Sequence, residues 1–435
     1  MRFYSTNNPA ITVSAQQALF QSLPADRGLY MPTYIPTLDA ALLRKLTHEP
    51  LATVGYELSR LFLSNDMTDA GLQELTHQAF PFDTPVVELE SEKTLVLELF
   101  HGPSLAFKDV GARFMAGLMS HYSRNTDREV HILVATSGDT GGAVAMGFHN
   151  VPGVRVSILY PSGRVSDLQE KQLTTLGGNV QAFEVQGSFD DCQDMVKLAF
   201  LDADLNRQMR LSSANSINIF RLIPQSFYYV RAFGQVSHLG KPVVFSTPSG
   251  NFGNLSAGVL ARQMGLPVQQ FVAATNLNRA VPTYLNSGHY EPKPSVTTIS
   301  NAMDVGNPSN FVRLQRLFGN ALGDIQANVS GYYFDDDETR AGMLKTYRDY
   351  QYVACPHTAI GLLGLDQYRH QTGDTDSIGI ALATAHPAKF PLVESILGVS
   401  VEVPERLAEL AHRPKRVMLI PAQYEAFREG LLQTA

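Results

Sequence analysis

The sequence predicts an α/β protein, with parallel β-sheets flanked by helices in a large and a small domain, preceded by a mainly helical N-terminal domain. Two observations lead there. From Ser14 to about Ala79, apolar residues such as Leu42, Leu43 and Leu46, then Val54, Leu58, Leu61 and Phe62, recur at three- and four-residue spacing, the period of helices with one buried face. Beyond about residue 80, short apolar runs alternate with helical stretches, the order expected of parallel strands covered on both faces. The 435 residues allow two or three domains with substantial cores, so a small binding module is excluded.

The N-terminal domain, residues 1–84, ends at Phe80-Pro-Phe-Asp-Thr-Pro85, where two prolines break the helix. Val86–Leu89 and Leu95–Leu99 then read as strands, followed by a helix from Val110 to about Tyr122. Further strands are expected at 130–136, 154–160, 180–185, 243–247, 271–275 and 378–383. In such sheets ligands sit beyond the carboxyl ends of the strands, where helix N-termini present free N–H groups. Asp335-Asp-Asp-Glu338 suits an acidic first helical turn.

Composition narrows the function. Hydrophobic residues make up 44% and charged residues 17%, and the net charge is -7, which leaves no basic surface to follow a nucleic acid backbone. No apolar run approaches the ~20 residues needed to span a bilayer, and Met1-Arg-Phe-Tyr-Ser-Thr-Asn-Asn lacks the apolar core of a signal peptide. With only Cys192 and Cys355, neither a disulfide framework nor a cysteine-rich metal site is expected. A cytoplasmic protein without nucleic acid or membrane partners is the expectation.

Five segments carry chemistry. His101-Gly-Pro-Ser-Leu-Ala-Phe-Lys-Asp109 sets one lysine among small and apolar residues. Ala106 and Phe107 would desolvate the Lys108 ammonium, lower its pKa and supply the neutral amine that Schiff-base chemistry needs. Alone, such a lysine is a surface residue about nine times in ten. Its company changes that reading. Ala135-Thr-Ser-Gly-Asp-Thr-Gly-Gly142 turns from a strand into a helix, so its N–H groups and the hydroxyls of Thr136, Ser137 and Thr140 could hold a carboxylate; a plain capped helix is an even alternative. Pro248-Ser-Gly-Asn-Phe-Gly-Asn254 does the same, and Gly250 and Gly253 would let the main chain approach a phosphate. It lacks the Gly-Lys-Ser/Thr of a Walker loop and the spacing of a dinucleotide fingerprint. In Ala381-Leu-Ala-Thr-Ala-His-Pro-Ala-Lys-Phe390, the hydroxyl of Thr384 could face a pyridine nitrogen, and His386 could be an acid–base group or a cap. Finally, Ser213–Leu222 clusters Asn215, Ser216, Asn218 and Arg221. A helix starting near Ser216 would put Asn218 and Arg221 on one face to grip an anion; an N-cap and an exposed charge are the bland alternative. Lys389, Arg164 and Lys171 are weaker anion contacts.

Taken in order, these motifs closely resemble threonine synthases of the bacterial and fungal type. The resemblance covers nearly the whole chain, including Met1-Arg-Phe-Tyr-Ser-Thr-Asn, Gly28-Leu-Tyr-Met-Pro32 and Ser300-Asn-Ala-Met-Asp-Val305. It implies a fold-type-II pyridoxal 5′-phosphate enzyme whose catalytic region spans residues 85–435, with a smaller subdomain at about 112–232 inserted in the large domain. It also implies a lyase that converts O-phospho-L-homoserine and water into L-threonine and phosphate. Lys108 would form the Schiff base. Gly250, Asn251, Phe252, Gly253 and Asn254 would hold the cofactor phosphate, and Thr384 would face the ring nitrogen. Ser137 and Thr140 would meet the substrate carboxylate, with Ser216, Asn218 and Arg221 as further substrate contacts. No metal is implied, and the protein would be a monomer or homodimer. Where many relatives on this fold carry Ser-Gly-Asn, with the asparagine amide donating to the cofactor phenolate, this chain carries Asp139, and an ionised carboxylate donates nothing. The rivals are a related pyridoxal-phosphate lyase or dehydratase acting on hydroxy- or phospho-amino acids, and a noncatalytic binding protein on the same fold.

Overall fold

The computed structural model describes residues 1–124, 129–136 and 138–433. The N-terminal region contains the expected helices, at Ala15–Gln21, Ala40–Lys45, Leu51–Leu63 and Asp69–Ala79. In the helix Leu51–Leu63 the buried positions Leu51, Val54, Leu58 and Phe62 follow the spacing read from the sequence. The region also contains a sheet that periodicity did not reveal. Strand β1 (Arg2–Ser5) pairs antiparallel with both β2 (Thr12–Ser14) and β3 (Tyr30–Pro32). Strands of three or four residues are too short to display an alternating pattern.

The remaining strands are β4 (Val86–Glu90), β5 (Thr94–Glu98), β6 (Val130–Ala135), β7 (Val154–Pro161), β8 (Val180–Gln186), β9 (Arg210–Ser213), β10 (Val243–Pro248), β11 (Gln270–Thr275), β12 (Val329–Tyr333), β13 (Ile378–Ala383) and β14 (Val417–Pro421). A six-stranded sheet runs β12-β11-β10-β13-β5-β4, and only its edge strand β4 is antiparallel to its neighbour. A five-stranded, wholly parallel sheet runs β14-β8-β7-β6-β9. Every residue of β6, β10 and β13 is buried, which explains their near-continuous apolar runs, interrupted only by His131 in β6 and by Ser246 and Thr247 in β10.

The smaller sheet is not confined to residues 112–232. Its edge is completed by β14, whose Ile420 packs in one apolar cluster with Phe183 and Val185 of β8 and with Phe427 and Leu431 of the C-terminal helix. A strand's apolar pattern says that it is buried, not which of two sheets it joins, so this return of the chain was not legible in the sequence. In the larger sheet the order β10-β13-β5 sets three strand ends side by side. The glycine-rich loop, the Thr384 segment and the Lys108 segment therefore leave adjacent strands at the same edge.

Candidate active site

Beyond β5 the chain folds back on the Thr384 segment. Phe107 N–H donates to Thr384 O at 2.8 Å, His386 N–H donates to Leu105 O at 3.0 Å, and Ala106 and Ala385 form an isolated bridge. Ser104 N–H donates to the Asp109 carboxylate at 2.8 Å and closes the turn. The helix then begins at Lys108 itself, two residues earlier than expected, and runs to Ser123. Lys108 is half-buried, and its Nζ has no hydrogen-bond or ion-pair partner among the described residues, lying 5.7 Å from the centre of the Phe107 ring. Burial lowers its pKa from 10.5 to about 8, opposed by the Asp139 carboxylate and assisted by Lys389 and Arg221.

The loop after β10 meets a helix, Gly253–Gln263, whose N-terminus has no side-chain cap. Its first N–H groups are thus available to an anion. The residue that takes the left-handed conformation there is Phe252, at φ 60°, rather than a glycine, at a cost of about 1 kcal/mol. Gly250 is needed for a different reason: a Cβ there would lie 2.8 Å from Met303 Cα and 3.1 Å from Ala302 O, backbone atoms that cannot swing away. Gly250→Ala should displace this loop and cost about 1–3 kcal/mol, seen as a lower thermal midpoint. Asn254 is buried. Its Oδ1 accepts hydroxyl protons from Tyr228 (2.7 Å) and Tyr229 (2.8 Å), while its Nδ2 is an unpartnered donor. Asn251 Nδ2 donates to Ser216 Oγ at 2.6 Å, which draws Ser216 to the loop. An uncapped helix start beside a buried donor without an acceptor is the environment a phosphate group satisfies, so the residues present fit the cofactor expected of them.

After β6, Thr136 acts within its own turn. Its hydroxyl oxygen accepts the N–H groups of Gly138 (3.0 Å) and Gly141 (2.9 Å). Gly138 has φ 144°, and a Cβ there would lie 2.7 Å from Gln169 Nε2. Ser137 lies outside the described residues. Thr140 is half-buried, and its hydroxyl has no partner among the described residues. Thr384 is buried, and its hydroxyl is likewise unpartnered among them.

The Ser213–Leu222 segment differs from expectation. Its helix is the single turn Ile219–Leu222, and Asn218 is its cap: Oδ1 accepts Phe220 N–H at 3.0 Å, while Nδ2 donates to Leu19 O (2.8 Å) and Ser22 Oγ (2.9 Å). With both ends of its amide engaged, Asn218 is not free to share an anion with Arg221. Arg221 is buried rather than exposed; one Nη donates to Ala214 O, and its Nε has no partner. Burial lowers its pKa to about 10, with Asp109 opposing. Arg164 is exposed and Lys171 is tied to Arg413 O at 2.7 Å. His386 caps the short turn Pro387–Lys389 through Ala388 N–H, and burial depresses its pKa to about 4, which makes it a neutral cap.

Lys389 is restrained more tightly than its place in the sequence suggested. Its side chain is 0% exposed, with Nζ 2.5 Å from Asp139 Oδ1 and 2.9 Å from Ser104 O. Burial alone would raise the Asp139 pKa, but Lys389 and Lys108 hold the carboxyl well below the usual range. Three other residues went unnoticed in the sequence. Asn310 is fully buried; its Oδ1 accepts from Arg313 Nη at 2.8 Å, and its unpartnered Nδ2 would lie 3.3 Å from a Cβ at Gly253. Arg313 has no ion-pair partner among the described residues and donates to Tyr30 O, Ser216 O and Ile217 O. His357, at the start of the helix Pro356–Thr372, is buried with Nε2 unpartnered, and burial lowers its pKa to about 4. The three-residue Asn310/Arg313 spacing was a signal, but an ordinary one.

Comparison with known proteins accounts for the whole chain. Residues 2–80 match the family model described as threonine synthase N terminus, 79–383 that of pyridoxal-phosphate dependent enzymes, and 358–430 that of the threonine synthase C-terminal region. Threonine synthase from Escherichia coli is 41% identical over 434 residues, 99% of each chain. Its crystal structure superposes with a TM-score of 0.91 at 40% identity, covering 100% of both chains. The crystal structure of PLP-bound threonine synthase from Brucella melitensis gives a TM-score of 0.94 at 32% identity, covering 100% of this chain and 99% of that one.

Proposed function

The chain belongs to the threonine synthase family of pyridoxal-phosphate-dependent enzymes, and on that premise we propose that it converts O-phospho-L-homoserine and water into L-threonine and phosphate. The observation that carries this reading is Lys108: a lysine with a depressed pKa and no partner among the described residues, placed where three strand-end loops converge. Bound pyridoxal phosphate supplies an electron sink conjugated with the substrate Cα. The chain supplies the rest. Residues 250–254 bind the cofactor phosphate, and Thr384 places a hydroxyl rather than a carboxylate against the pyridine nitrogen. Thr140, with Ser137, orients the substrate carboxylate. Lys108 Nζ, free once the substrate amine replaces it, would take the Cα proton and one Cβ proton before phosphate leaves Cγ, and would return protons to Cγ and, after water adds at Cβ, to Cα. Phosphate departs from Cγ and water adds at Cβ. Arg221, buried without an ion-pair partner, is the cation best placed to favour the substrate phosphate.

The deciding experiment incubates the holoenzyme with O-phosphohomoserine and measures threonine and phosphate together. Equal yields support the water-adding reaction; phosphate with a 2-oxo acid would replace it with a simple lyase. The protein is then a carbon–oxygen lyase acting on phosphates. Its two cysteines are buried and unbridged, and no described helix is long and apolar enough to cross a membrane; a cytoplasmic location and a monomer or homodimer remain part of the proposal, the oligomeric state to be read by light scattering.

A pH prediction follows from Lys108. With a pKa of about 8, about one amine in ten is neutral at pH 7, against about one in three thousand for an ordinary lysine. Capture of added pyridoxal phosphate by the cofactor-free protein should quicken about fivefold from pH 7 to pH 8 and level off by about pH 9, followed by absorbance. A rate still climbing steeply past pH 9 would show an unperturbed lysine.

A further inference from the structure

Lys389 Nζ joins three of the segments that meet at the site. It pairs with Asp139, in the first turn of the helix after β6, at 2.5 Å, and it donates to Ser104 O, in the turn that presents Lys108, at 2.9 Å. Its own backbone belongs to the segment after β13 that carries Thr384. The partners are held in turn. Gln169 Nε2 donates to Asp139 Oδ1 at 3.1 Å, and Gln172 Nε2 donates to Ser104 O at 3.0 Å. An ammonium has three N–H donors, and only two of these have partners among the described residues. Removing such a buried pair from water is costly, and an apolar pair of the same volume would often be as stable. Its place beside Lys108 points to a role in charge.

We propose that the buried Asp139–Lys389 ion pair is the unit that positions Lys108 and sets the charge around its nitrogen, with Lys389 a positioning residue for the reaction. The pair is neutral as a whole but presents opposite charges to Lys108. The charged and titratable groups facing Lys108 are Asp139, Lys389, Arg221 on the turn Ile219–Leu222, and His357 at the start of the helix Pro356–Thr372. Only Asp139 is acidic among them, and Lys389 is what holds its attraction in check. A neutral amide at position 139 could not compensate the buried Lys389 ammonium as the Asp139 carboxylate does.

This inference rests on Lys108 being the cofactor-bearing lysine, so the test reads that separately. Full-length holoenzyme is reduced with borohydride and digested, and the cofactor-bearing peptide is mapped; a label on any lysine but Lys108 overturns that assignment and this inference with it. Given the label on Lys108, visible absorbance is titrated against pH, because the protonated and unprotonated forms of the nitrogen joining lysine and cofactor absorb differently. Lys389→Met leaves the Asp139 charge uncompensated, and the midpoint should rise by about one pH unit or more. The double variant Asp139→Asn/Lys389→Met removes both charges, should fold where the single variant is strained, and should bring the midpoint back near that of the unaltered protein. An unmoved or lowered midpoint in Lys389→Met, or a double variant that stays as high as the single one, would show a staple with no part in setting charge.

Discussion

Lys108→Ala should abolish threonine formation, with kcat falling by at least about a thousandfold, and should prevent covalent attachment of the cofactor. The same variant should be more stable than the unaltered cofactor-free protein at pH 7. The Lys108 pKa falls from 10.5 in the unfolded chain to about 8 in the folded one, so below pH 8 its ammonium opposes folding. Between pH 8 and 10.5 the unfolded chain binds the extra proton, stability rises with pH, and the opposition fades. Because Lys108 is only half-buried, the gain on removing it is set at about 1–2 kcal/mol at pH 7, shrinking towards pH 10. Denaturant unfolding at pH 7 and pH 10 measures both values. An active Lys108→Ala protein would remove the basis for the proposed reaction; an inactive one that is also destabilised would mean that Lys108 contributes to folding and is not a strained functional group.

Arg313→Ala should produce the largest loss of stability. The guanidinium is fully buried, and burial lowers its pKa to about 9. It donates to Tyr30 O at 3.1 Å, Ile217 O at 2.6 Å, Ser216 O at 3.3 Å and Asn310 Oδ1 at 2.8 Å. Alanine would leave four oxygens without that donor and open a cavity, at a combined cost of about 3–5 kcal/mol by denaturant unfolding. Arg313 also joins the N-terminal sheet, through β3, to the segment whose Ser216 pairs with Asn251 of the loop after β10, proposed to bind the cofactor phosphate. Cofactor affinity should therefore fall about tenfold or more, read by equilibrium dialysis. Arg313→Lys keeps the charge but cannot span four acceptors, so it should recover only part of both losses. Lost stability with unchanged cofactor affinity would make Arg313 a staple of the fold alone.

The sequence by itself determined what local pattern and chemistry can carry. The six anticipated strands from Val130 to Ala383 lie where the apolar runs placed them, each end within a residue, because strands covered by helices on both faces are predominantly apolar. The glycine- and hydroxyl-rich turns fall at their carboxyl ends because only such residues allow a tight turn into an uncapped helix. Lys108 could be recognised as unusual from its apolar neighbours taken together with the other motifs of the chain, not from those neighbours alone. The tertiary structure decided everything that depends on residues far apart in the chain. It placed β14 in the smaller sheet, and it turned Asn218 from an expected ligand into a cap bound to Leu19 and Ser22. It buried Lys389 against Asp139, 250 residues away, and set Asn310 and Arg313 beside the glycine-rich loop after β10. The division has one cause. Hydrophobic periods and turn chemistry are enforced by the backbone within a few residues, whereas a buried polar group takes whichever partner the packed fold brings to it, and no local pattern records that partner.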